Sequence, residues 1–169
     1  DEDRASKLSR TFSSGDRKTW TLSTWVKLSG LDTIDHGEIF NGYDSGSDTG
    51  FTAIYFYNGQ FRVSGWWTSW RGTTQEFRDP AAWYHLVVAF DTTEDAADDR
   101  CKIYVNGSQV TAFGTNNALS KDTDYGINGA WVHQVGQDNS ASSSRNLSGY
   151  LAEFYFIDGT ALDADDFGE

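Results

Sequence analysis

The chain has 169 residues, a length that suffices for one domain with a full core, and its 15% aromatic content together with 17 glycines against a single proline suits a sheet protein. Cys101 is the only cysteine, which excludes an intrachain disulfide and leads us to expect folding in a reducing cytoplasm. A formal net charge of −12 repels phosphate backbones and disfavours polyanionic sugars unless a cation bridges them, so nucleic acid is set aside as a partner, and no 18-residue apolar run offers a membrane insertion.

In chain order, WTLSTWVKL at 20–28 alternates Leu22, Val26 and Leu28 on one face with Ser23, Trp25 and Lys27 on the other, the period of a strand. EIF at 38–40 starts a short strand that runs into NGYDSGSDTG at 41–50, expected to be a polar loop. GFTAIYFY and QFRVSGWW flank Asn58-Gly59, which predicts a type I′ hairpin pairing Tyr57 with Gln60, Phe56 with Phe61 and Ile54 with Val63. That register sends Ile54, Phe56, Phe61, Val63 and Trp67 to the core. It sends Phe51, Tyr55, Tyr57, Arg62 and Trp66 to the outer face.

WYHLVVAFD at 83–91 is apolar on both faces, as expected of a strand covered on both sides. TTEDAADDR at 92–100 reads as an acidic surface loop. A second hairpin turns at Asn106-Gly107, with Tyr104 opposite Gln109 outside, Ile103 opposite Val110 inside, and Cys101 as a small core hydrophobe. Residues 114–130 read as a long polar connection. Strands resume at 130–138 and 149–158, and ALDADDF forms one helical turn capped by Asp163. The acidic ends read as cut points, which predicts a single domain over 1–169 excised from a longer polypeptide.

WTLSTWVKL, WYHLVVAFD, KIYVNGSQV, a Val-Gly-Gln strand and SGYLAEFYFIDGTALDADDF, in that order from about Lys7 to Gly168, resemble the laminin-G-like, concanavalin A-like lectin/glucanase superfamily. More narrowly, RKTWTLSTWVK, FRDPAAWYHLVVAFDTT and YLAEFYFIDGTALDADDFGE are similar to domains of tail and other virion proteins of marine tailed bacteriophages. The resemblance implies an all-β, concanavalin A-like jelly-roll sandwich of two curved antiparallel sheets. It also implies a carbohydrate or protein ligand, often with calcium, and glycosidase activity in some members. Where many members carry an acidic pair on the last strand, this chain has Ala152-Glu153.

Glycosidases need two carboxylates at a set separation, and the glucanase branch places them as Glu-x-Asp-x-Glu on one strand. No such string occurs, Glu153 has no acid two residues away, and His36, His85 and His133 are scattered, so the chain is expected not to be an enzyme. Sugars stack their C–H faces on aromatic rings. The expected ligand-binding set is therefore Trp66, Trp70 and Arg71 of the WWTSWR stretch, Tyr55 and Arg62 beside them, and Tyr43 and Trp131 on an extended rim. Packing of Trp66 and Trp70 under a loop or against the second sheet is the alternative.

Calcium requires six to eight oxygens. Asp44 and Asp48 on one loop, with Gln137, Asp138 and Asn139 on another, supply such groups. The pentraxin branch of the resemblance places calcium between comparable loops, at positions matching Asp48, Gln137 and Asp138. Solvated loops are the alternative. The function expected is a carbohydrate-binding module of a phage structural or tail protein, folded in the host cytoplasm and acting on the virion toward polysaccharide, with other virion subunits as further partners. The competing reading is a structural jelly roll with no glycan ligand.

Overall fold

The structure is a computed structural model that describes residues 7–29, 36–138 and 145–168. Its twelve strands are β1 (Leu8–Thr11), β2 (Thr19–Leu28), β3 (Gly37–Tyr43), β4 (Phe51–Tyr57), β5 (Gln60–Ser64), β6 (Ser69–Glu76), β7 (Tyr84–Asp91), β8 (Cys101–Val105), β9 (Ser108–Gln109), β10 (Phe113–Asn116), β11 (Val132–Val135) and β12 (Gly149–Asp158). They form two antiparallel sheets, one of seven strands in the order β1-β11-β3-β4-β5-β6-β10 and one of five in the order β12-β2-β7-β8-β9. This is the jelly-roll sandwich. No helix among the described residues is long and apolar enough to cross a membrane.

Alternation dictates which side chains meet between the sheets. Phe56, Phe61, Ile54 and Val63 from the seven-stranded sheet are fully buried against Trp20, Val88 and Phe90 of the five-stranded one. Burying each such side chain contributes roughly 2–3 kcal/mol. Trp20 stacks on Phe90 with ring centroids 4.5 Å apart. Both hairpins adopt the expected register, Tyr57 opposite Gln60 and Tyr104 opposite Gln109. Their turns place Asn58, Gly59, Asn106 and Gly107 at positive φ, the conformation that a type I′ turn requires. Val87 and Ala89, on the outer face of β7, are also buried. The C-terminal segment crosses this face, held by Thr21 Oγ1 donating to Thr160 O and accepting from Leu162 N–H.

Four expectations change. Residues 41–43 continue β3 rather than opening the loop, and Asn41 is buried there. The connection at 114–130 carries the end of β10, and its Leu119, Tyr125 and Ile127 fill the core. The strand read at 130–138 is confined to Val132–Val135. Trp67, assigned to the core, stands out in solvent at 78% exposure. The chain leaves β5 at Ser64 and turns over 65–68, with Gly65 N–H donating to Thr68 O at 2.8 Å, so strand alternation no longer applies at Trp67. The tail forms a single 3-10 turn at Asp165–Phe167, where Asp163 Oδ1 accepts from Asp165 N–H.

Candidate functional site

With Ile54 and Phe56 in the core, the odd-numbered residues of β4 face outward. Phe51, Ala53, Tyr55 and Tyr57 thus line the floor of a groove across the outer face of the seven-stranded sheet. The groove encloses about 580 Å³. The six intervals from Phe51 to Tyr57 make it about 20 Å long, enough for an extended ligand rather than a single small molecule.

One end is built from tryptophan. Trp66 is half-buried, tilted against Tyr43 (5.6 Å between centroids) and edge-on to Phe51 (5.4 Å) and Trp67 (6.1 Å). Trp67 is held out by its backbone. Asp48 Oδ1 accepts from Trp67 N–H (2.6 Å) and Thr68 N–H (3.1 Å), while Oδ2 accepts from Thr68 Oγ1 (2.6 Å). A Cβ on Gly65 would come within 2.5 Å of Asp48 Oδ1 and 2.8 Å of Trp70, so only glycine lets the turn close on this carboxylate. The ring meets Trp66 edge-on and otherwise stands in water on a turn whose backbone is anchored, which marks it as a contact surface.

The other end is polar. The His36 ring stacks on Tyr55 (4.4 Å) and its Nε2 shares a hydrogen bond of 3.0 Å with Glu38 Oε2. Glu38 is wholly buried, and that burial, reinforced by the Asp138 carboxylate, raises its carboxyl well above the usual range; the Asn41 amide and Arg145 oppose the shift without cancelling it. Burial, helped by Arg145, lowers His36 to about 4. Both groups are thereby favoured in their neutral forms. Arg145 reaches the same end and pairs with Asp138 at 3.2 Å. Between the two ends, Arg62 lies over the Tyr57 ring at 5.0 Å and donates to Gln60 Oε1 at 2.9 Å.

The groove therefore unites Trp66, Tyr55 and Arg62 of the expected ligand-binding set, with Tyr43 supporting Trp66 from behind. The remaining residues of that set lie elsewhere. Trp70 is 2% exposed, packed on Tyr125 at 4.6 Å and on Phe90. Arg71 is equally buried and ties the two sheets together, donating to Cys101 O and Asn117 O, with Asp98 3.5 Å away. Both correct the expectation of a surface WWTSWR platform. After the 65–68 turn, β6 re-enters the sheet with Ser69 opposite Ser64, and the register shift at this point directs Trp70 and Arg71 inward. Trp131 is committed to the fold, its indole N–H donating to Gly126 O at 2.7 Å and its ring shelving Arg17 at 4.6 Å.

The expected calcium ligands do not converge. Val132 pairs with Tyr43 and Val135 with Phe40, so the 44–50 loop and the 137–138 segment leave the β3–β11 ladder in opposite directions from points about 10 Å apart. Asp44 is exposed, Asp48 is spent on the 65–68 turn, and Asp138 faces Arg145. Gln137 offers its carbonyl to Asn41, and Asn139 lies outside the described residues. Among the described residues, no group of three or more His, Cys, Asp or Glu is placed to hold a metal ion. The two loops thus do not form the pentraxin-like pair. Glu153 is on the other sheet, exposed at a bulge of β12 with φ of 49°, away from Glu38, the one carboxylate among the groove's described lining residues.

The sequence reading missed Trp67, His36, Glu38 and Arg145. Ser64-Gly65 is a turn signal that would have reset the alternation before Trp67. The other three are brought together only by pairing between β3 and β4 and by the segment after β11, so no local pattern marks them.

A family model described as the concanavalin A-like lectin/glucanases superfamily, of laminin-G type, matches residues 2–166. The chain belongs to that superfamily. Among solved structures, it is similar to a heptameric SAP-like pentraxin from Limulus polyphemus (17% identity, TM-score 0.60, 89% of this chain and 68% of that one). It is also similar to domains LG4-5 of the mouse laminin alpha1 chain (14%, TM-score 0.62, 98% and 42%). A third is a Trypanosoma rangeli sialidase in complex with sialic acid (14%, TM-score 0.62, 89% and 22%). At these identities the likeness is one of fold, and the chain spans less than half of the laminin fragment and under a quarter of the sialidase. No curated protein sequence matches it.

Proposed function

We propose that this domain is a non-catalytic carbohydrate-binding module that seats polysaccharide in the groove of the seven-stranded sheet. Trp67 carries the reading. It is a 78%-exposed indole at the mouth of a groove floored by Tyr55 and Tyr57, on a turn whose Trp67 N–H, Thr68 N–H and Thr68 Oγ1 all donate to the Asp48 carboxylate. Sugar C–H faces stack on such rings, and Arg62, Arg145 and the edge of His36 supply polar groups for hydroxyls. With a single carboxylate among its described lining residues, the groove lacks the pair that glycoside hydrolysis requires.

The biological setting we propose is a phage structural or tail protein. There the domain folds in the host cytoplasm and acts on the virion toward cell-surface or environmental polysaccharide. This setting rests on the resemblance of segments such as FRDPAAWYHLVVAFDTT and on no feature of the groove. A second reading, contact with another virion subunit, is favoured by Tyr150 and Tyr155, both more than half exposed on the edge strand β12.

A glycan array probed with the domain, in calcium and in chelator, is the test. Binding to a defined set of glycans, unchanged by chelation, is expected. No binding to any glycan in either condition would overturn the reading and leave the subunit-contact surface as the better account.

A further inference from the structure

Among the described lining residues of the groove, charges balance except at one. His36 and Glu38 share a hydrogen bond, and whichever of the two holds the proton, the pair carries no net charge. Arg145 is matched by Asp138 at 3.2 Å. Among the described residues, Arg62 alone of the charged lining side chains has no carboxylate partner. Its guanidinium has Gln60 Oε1 and the face of Tyr57, both neutral, and its buried Nε has no acceptor among the described residues. A half-buried cation with an unsatisfied donor is costly to keep, and the protein holds 25 acidic residues that could have been placed against it. Gly72 lies opposite Arg62 on β6, and the nearest acid along that strand, Glu76, is instead paired with Arg78.

We propose that the groove selects an acidic saccharide, a sugar bearing a carboxylate or a sulfate, and that Arg62 is the residue that reads the anionic group. The proposal rests on the glycan-binding reading and names the class of sugar within it. A guanidinium offers two parallel N–H donors matched to a carboxylate or sulfate edge, and here the terminal Nη1 and Nη2 groups supply them. Tyr55 and the indoles of Trp66 and Trp67 then take the apolar faces of the adjoining sugar units. The overall charge of −12 does not contradict this, because charges beyond about 8–10 Å are largely screened at physiological salt while the Arg62 contact is direct.

The test compares the domain with its Arg62→Gln and Arg62→Lys variants by calorimetry. The ligands are alginate and its carboxyl-reduced form, carrageenan and its desulfated form, and the neutral polymers laminarin and mannan, with thermal melts confirming that each variant folds. Binding to an acidic polymer that falls about tenfold to a hundredfold on Arg62→Gln, less on Arg62→Lys, and to a similar extent on removal of the acidic group supports the proposal. The alginate and carrageenan arms tell carboxylate from sulfate. Binding of neutral polymers with no dependence on Arg62 would overturn the acidic-sugar assignment and leave the glycan reading standing. Failure of every polymer together with an empty glycan array would overturn both.

Discussion

Replacing Trp67 with alanine is expected to weaken glycan binding by about tenfold to a hundredfold, the range of a central aromatic contact. The same substitution should leave the melting temperature almost unchanged, since a residue 78% exposed contributes within about 0.5 kcal/mol to stability. Trp66→Ala should cost both, because its ring also fills the space between Tyr43, Phe51 and Trp67. Asp48→Ala separates position from contact. It never touches a ligand in this account, yet it removes three hydrogen bonds from the 65–68 turn and should lower affinity by releasing Trp67. Asp48→Asn retains an oxygen for the two N–H donors and should recover most of the loss. Isothermal calorimetry beside thermal melts measures both columns of this comparison.

The second large effect is a rise in stability with pH between about 4.5 and 6.5. His133 is enclosed, its Nδ1–H donating to Trp131 O (3.0 Å) while Nε2 accepts from Asn128 N–H (2.9 Å), with Phe12 stacked at 4.1 Å. Protonating Nε2 would set two donors face to face, and burial lowers the group from 6.5 to about 4. His36 moves in the same direction, to about 4. Between about pH 4.5 and 6.5 the unfolded chain therefore binds a proton at both His36 and His133, while the folded chain binds neither. The raised carboxyl of Glu38 acts the other way, holding its proton to higher pH in the folded chain than in the unfolded one. Two histidines outweigh one carboxyl, so stability rises with pH through this window. Urea unfolding from about pH 4.5 to 6.5 should show the rise. His133→Gln should lessen it and Glu38→Gln should steepen it; unaltered slopes in both variants would refute the assignment.

The parts of the fold that were legible are those fixed by local chemistry. Asn58-Gly59 and Asn106-Gly107 impose turns whose register then decides every facing pair, and β7 is apolar enough to be central whatever surrounds it. β1 was not legible because all four of its residues are exposed and its only tie is the ladder to β11. β10 was hidden for a related reason. Its pairing with β6 shifts register between Phe113 and Thr115, and a short irregular strand leaves no period of two. The site divides along the same line. Tyr55, Arg62 and Trp66 follow from the first hairpin's register, whereas Trp67 depends on where β5 stops. His36, Glu38 and Arg145 depend on strand pairing across more than a hundred residues. Trp70 and Arg71 were misplaced because composition alone cannot tell an exposed aromatic-basic cluster from one folded inward.

The most direct measurement is the set of indole N–H resonances of the seven tryptophans, followed by NMR during titration with a glycan that binds. The account expects Trp66 and Trp67 to shift with saturation while Trp20 and Trp70 stay fixed in the core. Shifts confined to Trp131 or Trp25, with Trp66 and Trp67 unmoved, would place the ligand elsewhere and contradict the groove as the binding site.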